Sequence, residues 1–356
     1  MQNYADNMRD FVEKHATGLA VALVAGMSAL ALRRWMAGGV CRSRVRLDGK
    51  TVLITGANCG IGKETALDMA NRGARVIMAC RDMTKARIAA DEIRQQSGNG
   101  NVLVKKLDLA SLQSVRDLAK EVQENEERLD ILINNAGIMF CPKWETQDGF
   151  EMQFGVNHLG HFLLTNTLLD LLKKSTPSRV VNVSSTAHEK GRIHFEDINL
   201  DKDYDPHTSY RQSKLANVLF SRELASRLKD TGVTVYSLHP GIIRTELGRH
   251  LFPTLAMWKR IVAAAVMTFV KSPWEGAQTT LHCAWTRAWQ LKRPLLQAMT
   301  VPPKSRPPRP WTMLQRRGCG TSAPPWSVSL KHNTPALFSG SLTTNESYYL
   351  MGNGTA

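Results

Sequence analysis

A short apolar run, Thr51–Thr55 (TVLIT), ends abruptly in Gly56-Ala57-Asn58-Cys59-Gly60-Ile61-Gly62. The run reads as a buried strand, and the residues from Lys63 to Arg72 read as a helix, so the glycines lie at the turn between them. A pyrophosphate needs close backbone approach and free N–H groups at a helix N-terminus. Glycine supplies the first and the helix supplies the second. A glycine turn without a ligand is the plainer alternative. The strand before it, the helix after it and a second strand at Ala74–Ala79 argue for a dinucleotide site.

Val102–Leu107 and Leu129–Ile133 read as two further strands, with helical patterns between them. This βαβ rhythm predicts an α/β fold: a Rossmann-type, doubly wound parallel sheet in a single domain. The second strand ends in Cys80-Arg81-Asp82. An acid placed first there would hold the ribose hydroxyls of NAD, whereas Arg81 suits the 2′-phosphate of NADP(H). A mere surface charge is the alternative for Arg81. Asp108 closes the third strand, where an acid can accept from the adenine amine. The fourth strand runs into Asn134-Asn135-Ala136-Gly137.

Tyr210 and Lys214 lie one helical turn apart, on the same face. An unperturbed Tyr has a pKa of about 10, too high for an efficient base near neutrality. A neighbouring cation stabilises the phenolate, and Lys214 can supply that charge. Ser185 follows the strand Arg179–Val183, and its hydroxyl can polarise a substrate oxygen. Ser184 competes for that role. His158 and His161, three residues apart, read as packing or helix-surface residues because no third metal ligand follows. No metal site is expected.

With these motifs in order, the chain from about Leu47 to Thr280 resembles a classical short-chain dehydrogenase/reductase. The resemblance rests on Gly56 to Gly62, Asp108, the Asn134–Gly137 block, Asn157, Ser185, Tyr210, Lys214 and Pro240-Gly241. Longer runs, Asp148 to Asn166, Ser213 to Phe220 and Leu238 to His250, are similar to the microsomal and mitochondrial retinol dehydrogenases. The resemblance implies Tyr210, Lys214, Ser185 and Asn157 as the catalytic set, with Ser185 orienting the substrate and Asn157 holding a water that relays protons to Lys214. Asn157 as a helix cap is the alternative. It also implies cofactor contacts from Gly56, Ala57, Asn58, Cys59, Gly60, Ile61, Gly62, Arg81, Asp108, Asn135, Ala136, Gly137, Tyr210, Lys214, Pro240, Gly241, Ile243 and Thr245. Cys59 stands where the family usually carries Ser or Thr, which weakens one loop hydrogen bond. The implied activity is NADP(H)-dependent interconversion of a lipophilic alcohol and aldehyde, retinol and retinal first among them. A steroid or lipid aldehyde is the alternative substrate, and a catalytically impaired cofactor-binding protein is the alternative class. The resemblance also implies that the apolar stretch at residues 252–270 covers a retinoid-like substrate, with a buried core helix as the alternative.

Residues 16–32 carry no charge, and Arg33-Arg34-Trp35 follow at once. This predicts a membrane anchor within an N-terminal extension, residues 1–46, ahead of the dehydrogenase domain at 47–284. The endoplasmic reticulum is the expected membrane, with the mitochondrial inner membrane as the alternative. A cleaved secretory signal is disfavoured because the charges follow the apolar run, and a Gly/Ala-rich soluble helix is the plainer alternative. The formal charge of +15 does not point to nucleic acid. It gathers beside the anchor and beyond residue 281, without aromatics interleaved in a recognised module. Six scattered cysteines with no C-x-x-C pair fit a reducing compartment. A homo-oligomer is compatible with the sequence.

Beyond Ala284 the family pattern fails. The run PPKSRPPRP replaces apolar periodicity, and neither the expected final strand nor the helix after it can be read. Residues 285–356 are therefore expected to be an irregular, disordered tail; a reading-frame change near Cys283 to Arg287 would explain the break, and a tail that binds a partner or acidic lipid is the alternative.

Overall fold

A computed structural model describes residues 2–245, 247, 270–285 and 298–300. The elements that carry the sheet are β1 (Thr51–Thr55), β2 (Arg75–Cys80), β3 (Val102–Lys106), β4 (Ile131–Asn134), β5 (Ser178–Val183) and β6 (Val233–Leu238). They pair in the order β3-β2-β1-β4-β5-β6, all parallel, so the topology reverses between β1 and β4. In open sheets of this kind, ligands bind beyond the strand C-termini at that reversal. A short strand, β7 (Ala298–Thr300), adds antiparallel to β6 with Leu238 opposite Ala298.

Side chains alternate across the sheet, and both faces are covered. Val52 and Ile54 join Val76 and Met78 on one face, under α2 (Gly60–Asn71), α3 (Met83–Ser97) and α9 (Pro273–Trp285). Leu53, Ile77, Leu132 and Val180 line the other face, under α4 (Leu112–Asn125), α5 (Met152–Phe154), α6 (Gly160–Thr167), α7 (Leu169–Lys174) and α8 (Pro206–Arg227). Central strands buried on both sides explain why TVLIT is apolar without alternation. β1 has the expected bounds, and β2 to β5 differ from the sequence expectation by one or two residues, as hydrogen bonding at strand ends allows.

Local chemistry starts the helices that matter for the site. Asp205 caps α8, its carboxylate accepting from Thr208 N at 2.8 Å, and Pro206 occupies the first helical turn. α9 opens with a capping box. Ser272 Oγ accepts from Glu275 N at 3.2 Å, and Glu275 Oε2 accepts from Ser272 N at 2.8 Å.

α1 (Gln2–Ala37) continues well past the expected span on both sides. Its Lys14–Ala37 portion is 24 residues long with mean hydropathy 1.7, long and apolar enough to cross a bilayer. Its apolar side chains Val21, Leu23, Val24 and Met27 are exposed. The expected lid at 252–270 falls outside the described residues except for Val270. The expected tail at 285–356 does so except for Trp285, the end of α9, and for β7.

Candidate active site

β1 delivers the chain into a turn where side chains do not fit. A Cβ on Gly62 would collide with Gly56 O and, at 2.6 Å, with Asn135 Nδ2. Gly56 has φ +66, and a Cβ there would lie 2.9 Å from Ala136 Cβ. The first turn of α2 carries no acid, and Cys59 at its N-cap makes no side-chain cap hydrogen bond. A helix start without an acid or a side-chain cap fits a dinucleotide pyrophosphate. Ala57 is buried beneath the turn, while Asn58, Cys59, Gly60 and Ile61 are half-buried at its surface.

Asn135 ties this turn to β4. Its backbone N–H donates to Thr55 Oγ1 at 2.9 Å, and its side-chain Nδ2 donates to Thr55 O at 2.9 Å. Ala136 N also donates to Thr55 Oγ1 at 2.9 Å. The Asn135 side chain thus braces the strand ends. Gly137 faces the reacting groups, for a Cβ there would sit 3.1 Å from Asn157 Oδ1 and 3.6 Å from Lys214 Nζ.

Arg81 is exposed at the end of β2, and its carbonyl accepts from Lys106 Nζ at 2.6 Å. Asp82 caps α3, accepting from Lys85 N at 3.0 Å. Asp108 turns its carboxylate onto its own loop, accepting from Ala110 N at 3.0 Å.

The Pro240–Thr245 loop closes on the glycine turn from the other side. A Cβ on Gly60 would lie 3.2 Å from Thr245 Cγ2. Ile243 pairs with Lys271 and packs on Gly276. Gly241 has φ +95, with the Lys271 side chain against it.

At the C-terminal end of β5, Ser184 and Ser185 diverge. Ser184 is buried and donates to Lys214 O at 2.8 Å. Ser185 is half-buried, N-caps a short 3₁₀ turn and hydrogen-bonds Tyr210. Tyr210 is 4% exposed, and burial pushes its phenol up to about 12, opposed by the Ser185 hydrogen bond. Lys214 donates to Val183 O at 3.0 Å, and its Nζ lies 5.7 Å from the Tyr210 ring centre. Burial lowers its ammonium to about 8. Burial thus moves the two groups in opposite directions, Tyr210 upward against the Ser185 hydrogen bond and Lys214 downward.

Asn157 is no helix cap. It lies in a π-helical turn, Gly155–Leu159, where the N–H of Gly160 reaches back five residues to Gly155 O. Its Oδ1 accepts from Ile138 N at 2.8 Å, and its Nδ2 donates to Ile138 O and Ser213 Oγ, both at 3.0 Å. Its carbonyl accepts from Asn217 Nδ2 and faces His161 Nδ1, again both at 3.0 Å.

Of the two readings of His158 and His161, packing holds, for they are 6% and 3% exposed. Because Asn157 O can only accept, His161 Nδ1 carries the proton, and its Nε2 accepts from Thr55 Oγ1 at 2.9 Å. Burial lowers both imidazoles to about 4. His161 therefore links the glycine turn, through Thr55, to the π turn that holds Asn157. The sequence reading also missed Phe140. Its φ is +55, and its ring meets Tyr210 edge-on at 5.4 Å. Only contacts between distant segments reveal these roles.

The matching segments and the site converge on one class of protein. Residues 50–256 match the family model described as short chain dehydrogenase, and the chain belongs to that family. Among its relatives, bovine retinol dehydrogenase 12 is 56% identical over 253 residues, covering 71% of this chain and 78% of that protein. Human retinol dehydrogenase 13 is 53% identical, covering 74% and 80%. Among solved structures, a protein from Mycobacterium paratuberculosis aligns with a TM-score of 0.56 at 41% identity, covering 70% of this chain and 81% of that one. A short chain dehydrogenase from Shigella flexneri complexed with NADP aligns at 0.51 with 29% identity, covering 65% and 89%.

Proposed function

We propose that the chain is an NADP(H)-dependent oxidoreductase that interconverts retinol and retinal, anchored through α1 to the endoplasmic reticulum membrane. The observation that carries the reading is the Ser185–Tyr210 hydrogen bond at the C-terminal end of β5, with Lys214 buried one helical turn on and close to Gly137. The retinol dehydrogenase names of its 50–60% identical relatives support the substrate class. For the cofactor, Asp82 is held as the α3 cap while Arg81 stays exposed, so a cation and not a carboxylate is offered to the adenosine ribose.

When bound, the nicotinamide supplies or accepts the hydride. In reduction, the Ser185 hydroxyl donates to the aldehyde oxygen and the Tyr210 hydroxyl delivers its proton there. A phenol held near 12 is fully protonated at neutral pH and more acidic than the alcohol formed, so transfer runs downhill. In oxidation the same hydroxyl must first lose its proton, and the Lys214 charge compensates for the phenolate. Asn157, with its side chain fixed by Ile138 and Ser213, keeps the floor beside Lys214 in place.

Steady-state rates with all-trans-retinal and either NADPH or NADH test the reading. NADPH is expected to be preferred, and Arg81→Ala should weaken NADPH at least about tenfold while leaving NADH nearly unchanged. Equal use of both cofactors would contradict the NADP(H) assignment. A faster rate with a steroid ketone than with retinal would contradict the substrate.

A further inference from the structure

The apolar span of α1 ends at Arg33, the first charge after residues 16–32. Arg33 does not simply trail into solvent. Its Nη2 donates to both carboxylate oxygens of Glu275 at 2.8 Å, with side-chain exposures of 30% and 15%. Glu275 is the same residue that closes the capping box of α9, so the clamp grips the catalytic body at a rigid point. Two further contacts follow along the chain. A Cβ on Gly38 would lie 3.0 Å from Lys271 Nζ, and Cys41 N donates to Gln278 Oε1 at 3.0 Å. The stretch from Arg33 to Cys41 is thus laid against the first turns of α9.

Depth follows from this clamp. A residue that ends a membrane span sits in the headgroup layer, which is about 5–8 Å thick on each side of the hydrocarbon core. An ion pair at 2.8 Å brings the N-terminus of α9 into that same layer. The corner carries side chains suited to it. Trp274 is 48% exposed, Ile242 73% and Trp35 80%. Ile242 is joined to this corner by its carbonyl, which accepts from Lys271 N at 3.3 Å. Arg34, Arg42 and Arg44 are exposed beside them. Indole rings and guanidinium groups together are the chemistry of a lipid headgroup surface.

We propose that this corner of the catalytic body, centred on Trp274 and Ile242 and held by the Arg33–Glu275 clamp, rests on a phospholipid bilayer containing anionic lipids. The proposal rests on the reading of α1 as a membrane anchor. It adds a second, body-side contact, and with it an orientation. The Pro240–Thr245 loop then lies on the membrane side, so a lipophilic substrate reaches the site without crossing bulk water.

The test uses full-length protein reconstituted into phosphatidylcholine–phosphatidylserine vesicles with lipids brominated at graded depths. The readout is the Trp274 contribution to tryptophan emission, taken as the difference between the parent protein and Trp274→Phe. That contribution should be quenched about twofold or more by shallow bromines and less by deep ones. Arg33→Glu should abolish the quenching, and Arg33→Glu combined with Glu275→Arg should restore it. Absence of quenching at every depth, with the protein still in the membrane pellet after alkaline washing, overturns the proposal and leaves the anchor intact. Release of the parent protein by alkaline washing overturns the anchor reading, and the docked corner with it. Quenching that survives Arg33→Glu removes the clamp from the explanation and overturns the proposal as stated.

Discussion

Lys214 and Tyr210 are separated by one helical turn, yet burial drives their titrations in opposite senses. Lys214 falls from its ordinary 10.5 to about 8, while Tyr210 rises to about 12. The first proton lost on raising the pH therefore belongs to the lysine. kcat/KM for NADPH should decline above about pH 8, and an alkaline limb appearing only above pH 10 would contradict this assignment. The linked stability has the opposite trend. A depressed folded-state pKa means that the unfolded chain binds more protons between about 8 and 10.5, so the Lys214 contribution to stability grows as pH rises through that window. At the glycine turn, Cys59 leaves α2 without a side-chain cap bond. Cys59→Ser should add one and raise stability by about 1 kcal/mol, read as a higher denaturant midpoint at unchanged slope. An unchanged midpoint would mean that the loop geometry bars the hydroxyl from the helix end.

At the scale of elements, the π turn Gly155–Leu159 and the buried histidines around it form the brace behind the site. His158 donates from Nδ1 to Asn217 Oδ1 at 3.1 Å, and His161 bridges Thr55 to Asn157. Both imidazoles are neutral when folded and titrate near 6.5 when unfolded, so their stabilisation is complete above 6.5 and lost as pH falls toward 4. His161→Gln should flatten acid unfolding in that window, measured by near-ultraviolet circular dichroism. An unshifted acid transition would show that His161 does not carry it. This brace was not legible in the sequence because its bonds join residues as far apart as Thr55 and His161. The glycine turn and the Tyr210–Lys214 spacing were legible because each is a local pattern with a local cause.

For the whole molecule, the sequence rhythm of apolar strands and helices predicted a parallel α/β sheet, and the order β3-β2-β1-β4-β5-β6 is that fold. The antiparallel edge at Ala298–Thr300 was not legible, since three residues of ordinary composition carry no periodic signal. Its pairing to β6 shields the edge next to Leu238, which leads into the Pro240–Thr245 loop. The same long-range logic applies to Arg33 and Glu275, 242 positions apart, which join the anchor to the body. On the proposed function, a sheet of this order delivers a buried, protonated Tyr210 to a dinucleotide site as the proton donor for retinal reduction. The most direct test measures NADPH binding and retinal reduction side by side in the full-length protein and in Tyr210→Phe. The expected result is unchanged NADPH affinity with a rate at least about 100-fold lower in the variant. Wild-type turnover by Tyr210→Phe, or NADPH binding without turnover in the parent protein, would contradict it.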